Sequence, residues 1–371
     1  MEASPLRRRL RSPSPDAPGG LDSVPPELLN EVLSRLPLRC AVRTAALARA
    51  WRLRWESVPS LRFEWRAGAD PNAISGVLRR YTCPVREFCH SHIGEASFRH
   101  SDRWLRLLAL RGVQTLDLDF ERSDVESVHR LHPSIFSCSG LTVLRLRGCD
   151  IPTMPPGFAG FPNLTRLSLF NVGLPDGPRV LEALIAASPL LEILCLLHLE
   201  VPYSNGEYHE WAIQAPKLRY LLIDQLLDYG WQINDLPSLE EAEIDVVEYS
   251  THRDFVMLMT GLDHIKKLKF SLPLDDDYSE DDEVDSDFLN AQWTEDLFPN
   301  LIRVGVTHLT CKLSEMCFIK FILSKATRLR QFHLCLDEGC PKSNEDAVTE
   351  FVKYRRASPR ARVFFSRAQY D

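Results

Sequence analysis

Four side chains able to bind a metal stand close together in this sequence: Cys83, Cys89, His90 and His92. Thiolates and imidazoles are common zinc ligands, but structural zinc sites space them in short C-x-x-C or H-x-x-x-H style pairs, which this set lacks. The surrounding VREFCHSHI has the look of a strand, so part-buried structural residues are the simpler reading. A second candidate is His252-Arg253-Asp254, the triplet of a kinase-type catalytic loop. That loop needs an Asn five residues after the Asp, and position 259 is Met. No glycine-rich phosphate loop, D-F-G triplet, G-x-S-x-G or H-E-x-x-H accompanies it. The run 275–287, DDDYSEDDEVDSD, holds nine acids but lacks the central Gly and the twelfth-position Glu of a calcium loop. Ser279, ahead of Glu280, Asp281 and Asp282, suits an acid-directed kinase, with a solvated acidic loop as the plainer alternative. These residues point to no catalytic site, no metal and no cofactor. What remains is what the elements around them could hold.

The chain has 371 residues, 44% of them hydrophobic, enough for a sizeable core. Its formal net charge of −7 is local in origin: without the nine acids of 275–287 it is +2. No global field steers it to nucleic acid or to a membrane. The start, MEASPLRRRLRSPSPDAPGG, has Arg7, Arg8, Arg9 and Arg11 but no apolar h-region, and no apolar run approaches the ~18 residues of a membrane span. The ten cysteines form no C-x-x-C pair, which suits reduced thiols in an intracellular chain, in the nucleus, the cytoplasm or both. Residues 1–20 are too rich in Pro, Ser, Arg and Gly to fold and are expected to be a disordered basic tail; RRRLR is either a nuclear address or a solvated charge run.

The dominant signal is a repeat. From Val113 onward L-x-x-L-x-L recurs, with its second apolar position at Leu116, Leu144, Leu167, Leu194, Leu221, Ala242, Leu268, Val304 and Phe332. Most intervals fall within the roughly 20–29 residues of a leucine-rich repeat, and the one long interval, between Leu268 and Val304, contains the acidic run as an inserted loop. Each copy supplies a short strand with two inward leucines, and stacked copies bury a continuous core. The expectation is an α/β solenoid over 113–336, irregular because only Cys149 gives the usual Asn/Cys type at its turn position. Residues flanking the second leucine point away from the core, which places Arg145, Arg147 and Arg166 in one basic band. Glu241, Glu243 and Asp245 make an acidic band, followed by Lys267 and Lys269. Such bands either recognise a target or pair with one another across adjacent strands.

Ahead of the repeats, 21–60 has three short helical patterns. Pro25 and Pro26 suit a helix start, followed by Leu28, Leu29, Val32, Leu33 and Leu36 at helical spacing, and Pro37 ends it. A second short helix spans about Leu38 to Ala45, and Leu47, Trp51 and Trp55 sit four apart on a third. Forty residues bury little by themselves, so this apolar excess either meets a partner or packs on the next unit. Residues 61–112 read as a helical connector with a first weak repeat. Ile74, Val77, Leu78 and Tyr81 mark one helix face, and Trp104, Leu107, Leu108 and Arg111 another.

Residues 21–60 resemble the F-box, in the plant-type form followed by leucine-rich repeats. The matching residues are Val24-Pro25-Pro26-Glu27-Leu28-Leu29, Val32-Leu33-Ser34-Arg35-Leu36-Pro37-Leu38, Ala41-Val42-Arg43-Thr44, Leu47, Arg49, Trp51-Arg52 and Trp55. Departures stand at Val24, Cys40 and Ala50, where leucine, an acid and a basic residue are usual. The closing segment, 337–371, is similar to the FBD-like end of that group, with Phe318, Phe321 and Ile322 facing the core just before it and Val363 to Phe365 adding a last strand. The resemblance implies a non-catalytic subunit of an SCF-type (Skp-cullin-F-box) ubiquitin ligase. Pro25, Leu28, Leu29, Val32, Leu33, Leu36, Pro37, Val42, Leu47, Trp51 and Trp55 would bind the Skp-type adaptor, and through it cullin and RING subunits. The repeats would hold an unknown target protein through the charged bands. The alternative is a repeat scaffold that never joins a ligase.

Overall fold

The computed structural model describes residues 25–47, 51–58, 62–121, 128–202, 210–233, 235–250, 253–271, 297–337 and 339–367. The basic tail 1–20 and the acidic run 275–287 lie outside the described residues.

Two helices open the described chain. Pro25 precedes α1 (Pro26–Ser34) in extended conformation, and Pro26 takes the first turn, where its missing N–H leaves no internal bond unmade. α1 buries Leu29 and Leu33. Pro37 likewise starts α2 (Leu38–Arg43), which buries Leu38 and Ala41. The third helix differs from expectation. Thr44–Ala46 and Arg54–Ser57 are 3-10 turns, and Leu53 between them leaves helical values at φ −118°, ψ 4°. The four-residue spacing of Leu47, Trp51 and Trp55 is therefore no common helix face. Trp51 and Trp55 are buried, whereas Leu47 is 61% exposed. Burying two indoles in the chain's own core outweighs a local helical preference worth tenths of a kcal/mol per residue.

Twelve strands then form one parallel sheet in chain order. They are β1 (Arg62–Trp65), β2 (Glu87–Ile93), β3 (Thr115–Phe120), β4 (Val143–Arg147), β5 (Arg166–Phe170) and β6 (Ile193–Leu197). β7 (Tyr220–Leu227), β8 (Glu241–Glu248), β9 (Lys267–Ser271), β10 (Arg303–Leu309), β11 (Gln331–Leu336) and β12 (Arg362–Arg367) complete it. All nine repeat positions share one register: Leu116 pairs with Leu144, and the column runs through Leu167, Leu194, Leu221, Ala242, Leu268 and Val304 to Phe332. Segment 61–112 is more than a connector. It adds two whole strand-and-helix units, with Phe63 and Phe88 in the same column ahead of Leu116. At the other end Val363 pairs with Phe332.

Parallel strands need a return path on one side of the sheet. Helices supply it after β1 (α3, Pro71–Arg80), β2 (α4, Phe98–Leu110), β5 (α5, Arg179–Ala186), β8 (α6, Phe255–Gly261), β10 (α7, Leu313–Lys325) and β11 (α8, Asn344–Phe351). Ile74, Val77 and Leu78 of α3 and Trp104 and Leu108 of α4 are buried, as are Phe318, Phe321 and Ile322 of α7. Alternate strand residues point inward, so Leu116 and Leu118, Leu144 and Leu146, and Leu167 and Leu169 line a single long core. Between β4 and β5 the return has no α-helix. Gly160 sits at φ +90°, and a Cβ there would lie 1.9 Å from the Ala187 carbonyl oxygen of the next unit, so only glycine fits that stacking point. The opposite face of the sheet carries no helix among the described residues.

Candidate functional site

The residues with possible chemistry serve the fold. β2 separates the candidate metal set: His90 faces the core, stacked on Trp104 at 5.6 Å, while Cys89 lies on the other face. Burial, then Asp117, Glu87 and Glu64, push the Cys89 thiol up to about 12, so it stays protonated. Among the described residues no three His, Cys, Asp or Glu side chains are placed to hold a metal. Of the kinase-like triplet, His252 is outside the described residues. Asp254 caps α6 by accepting from the Met257 N–H at 2.8 Å, and Arg253 is buried in an ion pair with Asp228.

The N-terminal apolar residues divide into two sets. Leu29, Leu33, Trp51 and Trp55 are buried within the chain, with Arg80 of α3 lying 5.4 Å over the Trp55 ring. Leu36 and Val42 are half-buried against the same core. Facing solvent are Pro25 and Pro37, with Leu28 at 54%, Val32 at 52% and Leu47 at 61%. Leu53, at 64%, joins them, a residue that the helical spacing does not single out. Leu28 and Val32 are one turn apart on the outer side of α1, and Leu29 and Leu33 are one turn apart on its inner side. A short helix apolar on both sides, carried on so small a unit, has an outer face suited to packing on a partner's helices.

The second surface is the helix-free face of the sheet. Here the charged bands pair across strands. Arg145 lies 3.4 Å from Asp117, and Arg147 lies 3.7 Å from Asp119 and 4.8 Å above the Phe170 ring. Lys267 reaches Glu241 at 2.6 Å and Lys269 reaches Glu243 at 3.6 Å. Tyr220 donates to Glu243 at 2.9 Å, and burial together with that carboxylate pushes its phenol well up. Asp245 stands 3.8 Å from His308. Burial raises the neighbouring Asp224 carboxyl, against the pull of His198. Arg166 sits in the row of Val143 and Ile193, apart from Arg145. The repeat pattern alone does not mark Asp117 and Asp119, the partners of the basic band, although L-D-L-D one copy ahead of L-R-L-R is a legible signal. Between the charged bands the face is nearly uncharged, with Ser168, Phe170, Ile193, Cys195, Leu197 and Leu222.

Comparison with known proteins bears on both surfaces. Residues 101–275 match the family model described as FBD-associated F-box protein At5g56370, LRR repeats, a span that begins in α4 and includes β3 to β9. The F-box/FBD/LRR-repeat protein At1g13570 of Arabidopsis thaliana is 25% identical over 419 residues, which covers 94% of this chain and 99% of that protein. The FBD-associated F-box protein At5g56370 of the same plant is 28% identical over 283 residues, 68% of this chain and 64% of its own length. The FBD-associated F-box protein At5g38590, also from Arabidopsis thaliana, is 29% identical over 257 residues, 65% of this chain and 59% of its own length. No helix among the described residues is long and apolar enough to cross a membrane. With a repeat register shared strand by strand and an end-to-end match of this kind, the chain is similar along its length to plant F-box proteins with leucine-rich repeats and an FBD.

Proposed function

We propose that the chain is the substrate-recognition subunit of an SCF-type ubiquitin ligase. The observation that carries this reading is the outer face of α1. Leu28 and Val32 stand in water while their neighbours Leu29 and Leu33 complete the chain's own core. A folded protein gains nothing by itself from exposing that second stripe, and a Skp-type adaptor would cover it together with Pro25, Pro37 and Leu47. Leu29, Leu33, Trp51 and Trp55 then support the surface from beneath.

The open sheet face holds the target, with Arg145, Arg147, Arg166, Glu241, Glu243, Asp245, Lys267 and Lys269 fixing register and rejecting mismatched charge. Ubiquitin transfer is left to the other subunits. The chain contributes proximity, since tethering a target beside the reacting centre converts an encounter into an effectively intramolecular step. Affinity capture of the full chain, co-expressed with a Skp-type adaptor and a cullin, tests the assembly. Recovery of both proteins supports it. A folded chain that captures neither would leave a repeat scaffold working outside any ligase.

A further inference from the structure

The charges of the open face are not distributed evenly once their pairing is counted. Over β3, β4, β8 and β9 every arginine and lysine in the face-forming rows has a carboxylate across the strand, in the four pairs Arg145–Asp117, Arg147–Asp119, Lys267–Glu241 and Lys269–Glu243. The last three strands differ. Their outward residues are Arg303, Gly305 and Thr307 on β10, Gln331, His333 and Cys335 on β11, and Arg362, Phe364 and Ser366 on β12. None of these is an acid. Arg303 and Arg362 are exposed and have no side-chain partner among the described residues. Both stand in the row of Lys267 and are separated only by Gln331, which puts their Cα atoms about 10 Å apart at the usual strand spacing. Asp245 and Asp337, near the other end of the strands, are both held towards His308, at 3.8 and 3.7 Å.

Shape adds to charge. A Cβ at Gly305 would meet nothing nearer than the Lys269 chain at 3.6 Å, so a recess opens there between the side chains of the neighbouring strands. Beside it His333 and the 40%-exposed Phe364 stack at 4.7 Å with their planes 13° apart, making a flat apolar platform. Two guanidiniums flanking a recess and a ring platform suit the main chain and carboxylates of an extended peptide, since guanidinium and carboxylate match in bidentate geometry. A nucleic acid strand fits less well, because two unpaired arginines offer far fewer phosphate contacts than nucleic-acid binding usually draws on.

We infer that the end of the open face formed by β10, β11 and β12 receives a carboxylate-rich extended segment of the target protein, with Arg303 and Arg362 as its anchors. This rests on the reading of the open face as the target site and names the chemistry of what binds there.

The test is fluorescence anisotropy of a labelled peptide alternating Asp or Glu with Ser, titrated with the full chain, beside its Asn/Gln counterpart and a single-stranded oligonucleotide of similar length. The acidic peptide binds and the neutral one does not. Arg303→Glu with Arg362→Glu weakens binding about tenfold or more, and Arg62→Glu, an arginine at the far end of the sheet, leaves it unchanged. Arg303→Gln with Arg362→Gln gives an intermediate loss, and thermal unfolding on each sample confirms that the chain is folded. Equal binding by the wild type and the double variants overturns the inference. So does a neutral peptide or an oligonucleotide bound as tightly as the acidic peptide. Binding that appears only after deletion of 275–287 also overturns it, because the occupant is then the chain's own acidic run. Adaptor capture measured on the same preparations separates the two claims. If the adaptor is captured and the peptide is not, only the acidic-segment inference fails. If the peptide binds and the adaptor does not, the ligase reading fails.

Discussion

Arg253 and Asp228 form an ion pair whose side chains are 1% and 0% exposed, with the guanidinium 4.3 Å over the Trp231 ring. Asp228 also accepts the Gly230 N–H at 3.0 Å, so the pair ties the turn after β7 to the segment that leads into α6. Two buried charges persist only when each satisfies the other, and removing one leaves the second stranded in a dry site. We expect Arg253→Met or Asp228→Asn alone to cost about 3–5 kcal/mol, read as a lower denaturant midpoint. Combining Arg253→Met with Asp228→Leu should recover much of that loss. A single variant that unfolds at the wild-type midpoint would show that the pair does not hold the fold.

The charge pairs on the open face are of another kind. Lys269 and Glu243 have side chains 48% and 28% exposed, so water and salt screen them, and each such pair is worth roughly 0–1 kcal/mol. Lys269→Met should therefore move the unfolding midpoint by less than ~1 kcal/mol while changing which proteins the chain captures. A loss as large as that of Arg253→Met would mean that the ladder of pairs is structural rather than a recognition surface.

Two histidines, His90 buried and His129 half-buried, make stability depend on pH. Burial lowers the pKa of His90, against the Ser91 carbonyl and Asp119, and burial lowers that of His129, against Asp102. In the unfolded chain both titrate near 6.5. Between that value and the lower folded-state values the unfolded chain binds more protons, so stability is full above about pH 6.5 and is lost as pH falls through the folded values. The melting temperature should drop between about pH 7.5 and about pH 5.5. The drop should be smaller in His90→Leu with His129→Phe, since Leu matches the inward Leu118 beside His90 and Phe suits the slot between Phe98 and Phe120. An identical drop in wild type and variant would assign the pH dependence to other groups.

The repeat was legible because burial imposes it. A strand with one face in a continuous core needs apolar residues two apart, and from Leu116 to Phe332 that requirement survives as leucine or a close substitute. It faded in β1 and β2, where Phe63 with Trp65 and Phe88 with His90 take the inward positions, so no L-x-L remains to be seen. The N-terminal unit shows the limit of helical periodicity. Leu28 and Leu29 both fit an apolar stripe, and only packing reveals that one faces out and the other in. Leu47, Trp51 and Trp55 had the spacing of a helix, but the indoles reach the core from 3-10 turns instead. On the open face strand alternation located Arg145 and Lys269 correctly. Their ion-pair partners depend on which copies stack in which register, and that is a property of the assembled sheet.

The most direct test of the central claim is the affinity of the purified chain for a Skp-type adaptor, measured by isothermal titration with and without the outer stripe of α1. Leu28→Asp with Val32→Asp replaces two solvent-facing apolar side chains and leaves Leu29 and Leu33 in the core, so the melting temperature should be nearly unchanged. Adaptor binding should weaken by roughly a hundredfold, about 2.7 kcal/mol. Wild-type affinity in that folded variant would contradict the proposal that this surface docks the chain onto a ubiquitin ligase.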